Sequence, residues 1–162
     1  MQCGKAPRCI QDYQGRVSGP LIDRIDLQID VPPVTAVDLA LPIPAEGSAE
    51  VAARVVAARQ IQIDRAQKLD LAPENALNAT AFGEGLEVIC ALDAAAKSLL
   101  TQAAQHSNLS ARGWARTLRL ARTIADLEQA PDVLRRHVAE ALIYRRKGPM
   151  TEREGARMAT SA

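Results

Sequence analysis

The side chains with the greatest chemical capacity in this sequence are arginines, and they are unevenly spaced. Arg24 closes the run Ser18-Gly19-Pro20-Leu21-Ile22-Asp23-Arg24, while Arg112, Arg116 and Arg119 recur at intervals of four and three. A planar guanidinium matches phosphate oxygens and can stabilise the charge that builds on a transferring phosphoryl group. The plain reading of Arg24 is a surface pair with Asp23 or Asp26, a common and weak contact. For Arg116 and Arg119 the reading adopted is an exposed helix face. A separate use would gather Arg116, Arg119, Arg135, Arg136, Arg145, Arg146 and Lys147 on DNA phosphates, making the chain a free-standing helical binding module whose affinity falls with salt.

Other chemistries find less support. Cys3 and Cys9 could form half of a zinc site, but a closed site needs about four ligands, and His106 and His137 lie far away in helical patterns, so no metal is expected. No Gly-x-x-x-x-Gly-Lys-Ser/Thr loop occurs, and "CGKAP" at residues 3–7 lacks both the glycine spacing and the magnesium-holding hydroxyl. No strand ends in the acidic pair that would place a metal and an attacking water. The chain is therefore expected to hold no triphosphate unaided. Twenty basic against nineteen acidic residues create no global field toward nucleic acid or membrane. With three cysteines, no secretory signal and no long apolar run, a cytoplasmic protein away from the membrane is expected.

The elements that must position the arginines are mainly helical. Aromatic residues make up only 2% of the chain while alanine abounds, which suits helices in close contact. Ser18 to Arg24 reads as a short helical turn with Pro20 near its start. Ile25, Leu27, Ile29 and Val31 then alternate with Asp26, Gln28 and Asp30 as in a half-buried strand, although nothing later offers that strand a partner. Pro32, Pro33, Pro42 and Pro44 mark a connector. A helix capped by Ser48 should run to about residue 66 with Val51, Val55 and Ile61 inward, followed by a loop over 67–83 and a short helix over 84–91. Asp93 should cap a helix through His106 with Leu99 and Leu100 in the core, and Asn108 should stop it. Ser110 should cap the next helix, stapled by Leu109 and Trp114, with Trp114, Leu118, Ala121 and Ala125 on the apolar face, widened by Leu120 and Ile124. Asp132 should open the last helix, with Leu134, Val138, Ala141 and Leu142 inward and an end near Lys147.

Three runs carry a family resemblance. "GRVSGPLIDRIDLQIDVP", "EGSAEVAARVVAARQIQ" and "LSARGWARTLRLARTIADLEQAPDVLRRHVAEALIYR" resemble the carboxy-terminal portion of the YifB/ComM family of magnesium-chelatase-related AAA+ ATPases, over roughly residues 3–146. The resemblance implies a homo-hexameric ring that uses ATP and Mg2+, with DNA branch migration as the work of its ComM members. Metal chelation is not carried over. Within "SGPLIDRID" it makes Arg24 the finger that points into a neighbouring subunit's site, Ile22 being the conservative departure from the family's usual leucine. Within "LSARGWARTLRLAR" it makes Arg112 the second nucleotide-sensing arginine, in the first turn of a helix, where an anion is also favoured. It divides the chain into the end of an AAA+ core over 1–31, with finger helix and last strand, a connector over 32–47, a helical lid over 48–147 and a disordered tail over 148–162. The fold class expected is mainly α, and the rest of the ATPase core must come from elsewhere.

Overall fold

The computed structural model describes residues 16, 18–22, 24–29, 31–42, 46–107 and 109–145. Cys3, Cys9, Asn108, Arg146, Lys147 and the expected tail at 148–162 lie outside the described residues.

The longer helices appear where the sequence offers a cap and then a run free of proline. Two others are single turns. α1 (Gly19–Ile22) is a single turn, with the Leu21 amide donating to the Ser18 carbonyl at 3.0 Å. α2 (Ala36–Leu39), inside the expected connector, is held by a reciprocal cap in which the Thr35 amide and hydroxyl donate to the Asp38 carboxylate at 2.7 Å each and the Asp38 amide returns a bond to Thr35 Oγ1. These bonds hold the Asp38 carboxyl below its ordinary pKa, the side-chain bond from Thr35 contributing most.

α3 (Ser48–Lys68) is the longest helix, and Gly47 rather than Ser48 stands at its cap, with the Gly47 amide donating to Glu50 at 3.0 Å. Its acidic first turn and basic last turn both complement the helix dipole. Its inward face is a correction to the apolar pattern. Ala58, Gln62 and Ala66 are buried, whereas Val51 and Val55 are exposed and Ile61 is only half-buried. The first turns overhang the core, so hydrophobicity there is not matched by burial. The chain leaves α3 through Asp70, at φ 49°, with the Leu71 amide reaching back to the Ala66 carbonyl at 3.0 Å and the Asp70 amide to Gln67.

After a turn over Pro73–Asn75, α4 (Gly83–Ile89) and α5 (Ala94–Ser107) follow. Asp93 Oδ1 accepts from the Ala96 amide at 2.6 Å, the expected cap, and Leu100 is fully buried with Leu99 packed beside it. α6 (Ala111–Leu127) is capped by Ser110, whose Oγ accepts from the Gly113 amide at 2.9 Å. Its apolar stripe is as expected: Leu118, Ala121, Ile124 and Ala125 are buried, with Trp114 and Leu120 packed against them.

α7 (Arg135–Ile143) starts three residues later than Asp132 and ends before Lys147. Asp132 is exposed because Val133 is drawn inward to bridge Leu92, leaving Leu134 at the cap. The Leu134 amide donates to His137 Nδ1 at 3.0 Å, so the ring proton sits on Nε2 and is donated to Glu128 at 3.0 Å. α6 is the hub: it packs on α7, α3 and α4, while α5 closes on α7.

The fold is mainly α, with five helices of seven residues or more among the described residues. The expected strand is not formed: the described part of residues 25–31 pairs with no other strand, as a segment must when its ladder partners are missing. No described helix is long and apolar enough to cross a membrane.

Candidate functional site

Four arginines on α6 run from exposed to buried along the helix. Arg112, in the first turn, is exposed. Arg116 retains 18% of its side-chain exposure and pairs with Asp26. Arg119 Nε donates to the carbonyl of buried Ala81 at 2.8 Å. Arg122, 2% exposed, is fully engaged: Nε donates to Asp126 at 3.1 Å, Nη1 to the Pro131 carbonyl at 2.9 Å and Nη2 to the Ala130 carbonyl at 2.7 Å. The expected solvated face for Arg116 and Arg119 is therefore corrected: Arg119 folds back onto the carbonyl of buried Ala81, which would otherwise lack a donor, and Arg116 is partly covered while it pairs with the exposed carboxylate of Asp26.

Asp126 is fully buried and also receives Arg65 of α3 and the Asn78 amide, the latter at 2.7 Å. Asn78 in turn donates its backbone amide to Gln62 at 3.2 Å, so α3, the following loop and α6 are joined by a polar network beneath the apolar core. Burial lowers the pKa of Arg122 from its ordinary value, with Asp126 opposing. Cys90, next to this network and donating to the Leu118 carbonyl, is pushed up to about 12, chiefly by burial. A thiol so held is a core side chain, not a nucleophile. The network had no signal in apolar periodicity, because Gln62, Asn78 and Asp126 count as polar.

Arg24 is exposed and donates to the Pro20 carbonyl at 3.0 Å, one turn back along its own segment. The pairing with Asp26 anticipated for it goes instead to Arg116. The residues after Arg24 are tied to the far end of the molecule. The Ile25 carbonyl accepts from Arg145 Nη1 at 2.8 Å, and the Gln28 amide donates to the Tyr144 carbonyl at 3.0 Å. Arg145 is 8% exposed and lies over Gly113, where an added Cβ would stand 3.3 Å from its Nη2. The structure thus brings the segment bearing Arg24 against the helix bearing Arg112. Sequence reasoning missed Arg145 as part of this arrangement, for it is one of several basic residues near the chain's end and nothing in its spacing sets it apart.

Of the seven cations gathered for a DNA surface, Arg116, Arg119, Arg136 and Arg145 have internal partners, Arg136 pairing with Glu128. Among the described residues, Arg116, Arg119 and Arg145 are thereby withdrawn in part from such a surface, while Arg135 and Arg136 stay exposed. Among the described residues no group of three or more His, Cys, Asp and Glu could hold a metal ion.

Comparison with known proteins places this geometry. The family model described as "Magnesium chelatase, subunit ChlI C-terminal" matches residues 45–145, and "Magnesium chelatase, subunit ChlI" matches residues 1–39. YifB of Escherichia coli strain K12 and of Salmonella typhimurium strain LT2 are each 36% identical over 147 residues, 88% of this chain. The competence protein ComM of Haemophilus influenzae is 36% identical over 141 residues, 86% of the chain. This chain spans about 28% of the YifB proteins and 26% of ComM. The helical body built around α6 therefore belongs to the magnesium chelatase subunit ChlI C-terminal family.

Proposed function

We propose that this chain supplies two guanidinium groups to a ring-forming, magnesium-chelatase-like AAA+ ATPase: Arg24 as a finger acting in a neighbouring subunit's site and Arg112 as a nucleotide sensor. The observation that carries the reading is the contrast in exposure. Arg65 and Arg122 are spent inside the fold, whereas Arg24 and Arg112 sit at the surface on the two segments that match the family models. Exposed guanidinium groups fit phosphate oxygens in both charge and shape. In this reading ATP and Mg2+ are held by the nucleotide-binding core of the complete ATPase, since the sequence carries no Gly-x-x-x-x-Gly-Lys-Ser/Thr loop. The domain division at residues 31 and 47, the hexameric ring and a cytoplasmic setting belong to the same proposal. So does DNA branch migration as the work performed, which follows from the resemblance to the ComM members of the family and is compatible with the name competence protein carried by one relative.

A finger acts mainly on the charge of the transition state, so its loss should strike turnover harder than binding. In the assembly that supplies the nucleotide-binding core, Arg24→Ala is expected to lower ATP turnover by about a thousandfold or more while largely sparing nucleotide affinity. Parallel loss of both would contradict the role. The chain by itself is expected to show no ATP hydrolysis, and turnover that copurifies with it through several columns would refute this.

A further inference from the structure

The hydrogen bonds that tie residues 25–28 to α6 and to the two residues after α7 are not explained by burial. Ile25 is 42% exposed, Leu27 47% and Ile29 67%, so the apolar side chains of this segment do little to hold it in place. Polar contacts do. Asp26 pairs with Arg116, the Ile25 carbonyl accepts from Arg145, and the Gln28 amide donates to the Tyr144 carbonyl. Each joins residues far apart in sequence, 90 for Asp26 and Arg116 and 120 for Ile25 and Arg145, and all three fall within four consecutive residues beginning directly after Arg24. On the receiving side, Arg116 lies one helical turn beyond Arg112 on the same face of α6. Arg145 lies over Gly113, the residue next to Arg112, in a space that any side chain at position 113 would narrow.

We propose that Asp26, Arg116 and Arg145 form a latch that fixes the Arg24 segment to the first turns of α6, so that Arg24 and Arg112 are presented to nucleotide as one rigid unit. Arg116 and Arg145 are then positioning residues: they act through the segment they hold. The proposal rests on the reading of Arg24 as a finger and adds to it how the finger is aimed. Its physical basis is that phosphoryl-transfer catalysis by a guanidinium depends on placement, and an exposed chain with no strand partner and little buried apolar surface cannot keep a side chain in place by itself. Motion of α6 would carry both arginines together, and rupture of the latch would free one of them.

Two measurements test this separately from the finger. The first is hydrogen exchange on the chain as it stands, where the Gln28 amide is expected to be protected and to exchange about tenfold faster in Asp26→Ala, an exposed change that spares the core. The second is ATP turnover in the assembly with the nucleotide-binding core. Asp26→Arg and Arg116→Glu are each expected to lower kcat by about ten- to a hundredfold with KM for ATP little changed, and the double charge swap to recover most of the loss. The rescue by the double swap reports the pair itself, and a loss confined to kcat, with folding stability little changed, separates positioning from a merely structural role. Unprotected exchange at Gln28 in the unaltered chain, or a double swap no better than its parents, overturns the latch. So does full turnover in both single variants when Arg24→Ala abolishes it, and that outcome leaves the finger standing. Full turnover in Arg24→Ala would sink the finger and, with it, the purpose assigned to the latch.

Discussion

At the carboxy-terminal end of α6, Arg122 gives all three of its guanidinium nitrogens to Asp126, Ala130 and Pro131 and is withdrawn from water, whereas at the amino-terminal end Arg112 stands exposed in the first turn. The two residues are identical in chemistry and sit on one helix. The difference teaches that a guanidinium's role follows from what surrounds it: Arg122, enclosed by carbonyls and a carboxylate, is part of the architecture, while Arg112, on a turn capped by Ser110, keeps its side chain at the surface.

The sharpest way to break that comparison is to remove the carboxylate. Asp126→Ala leaves Arg122 and Arg65 without their shared counter-charge, and loss of one partner from a buried ionic cluster costs roughly 3–5 kcal/mol. Much of a small domain's stability would go with it. Arg24→Ala and Arg112→Ala, by contrast, should each change stability by less than about 0.5 kcal/mol. Urea unfolding of the three variants side by side checks the contrast, and equal destabilisation would erase the distinction between the two ends.

A smaller effect comes from the capping at α6. Ser110→Ala removes the acceptor for the Gly113 amide and is expected to cost about 1 kcal/mol. It should also loosen the turn that presents Arg112, so weaker nucleotide binding in the assembly would accompany the stability loss.

Cys90 reports on the buried end through pH. Its thiol is pushed up to about 12 in the folded protein, above the ordinary thiol range of the unfolded chain. Above that ordinary range the unfolded state releases a proton that the folded state keeps, so stability is complete below it and is eroded as pH rises toward 12. A Cys3→Ser, Cys9→Ser chain should accordingly resist thiol reagents near pH 8 until denatured, and rapid modification of the native protein would count against the packing described.

The smallest effect expected is at the turn after α6. Glu128 is held below the usual carboxylate range first by the hydrogen bond from His137 and then by Arg136. Its contribution is present above the unfolded carboxylate's pKa and fades as pH falls through the lower folded value. Glu128→Gln should flatten the acid limb of the stability profile slightly, and an unchanged limb would show that this exposed group does not matter.

Local chemistry made much of this architecture legible in the sequence. Ser110, Asp93, Leu100 and the stripe from Leu118 to Ala125 announced themselves because a cap or an apolar spacing depends only on near neighbours. Long-range contacts were not legible. Asp132 looked like a cap, yet Val133 is pulled to Leu92 and the helix begins later. Val51 and Val55 looked like core, yet Ala58, Gln62 and Ala66 face α6, where small residues and one amide permit close approach to a polar network. Asp70 and Gln129 adopt positive φ at helix ends where glycine would have given a signal. For the candidate site, Arg24 and Arg112 stood out through the family resemblance, and the residues that tie Arg24's segment down became visible only once the chain was folded.

The central claim concerns where two guanidinium groups point when nucleotide is bound. A structure of the complete ring with an ATP analogue and Mg2+ tests it most directly. Arg24 and Arg112 are each expected within hydrogen-bonding distance of a phosphate oxygen, at about 2.7–3.2 Å. Both side chains lying well beyond contact with any phosphate would contradict the account.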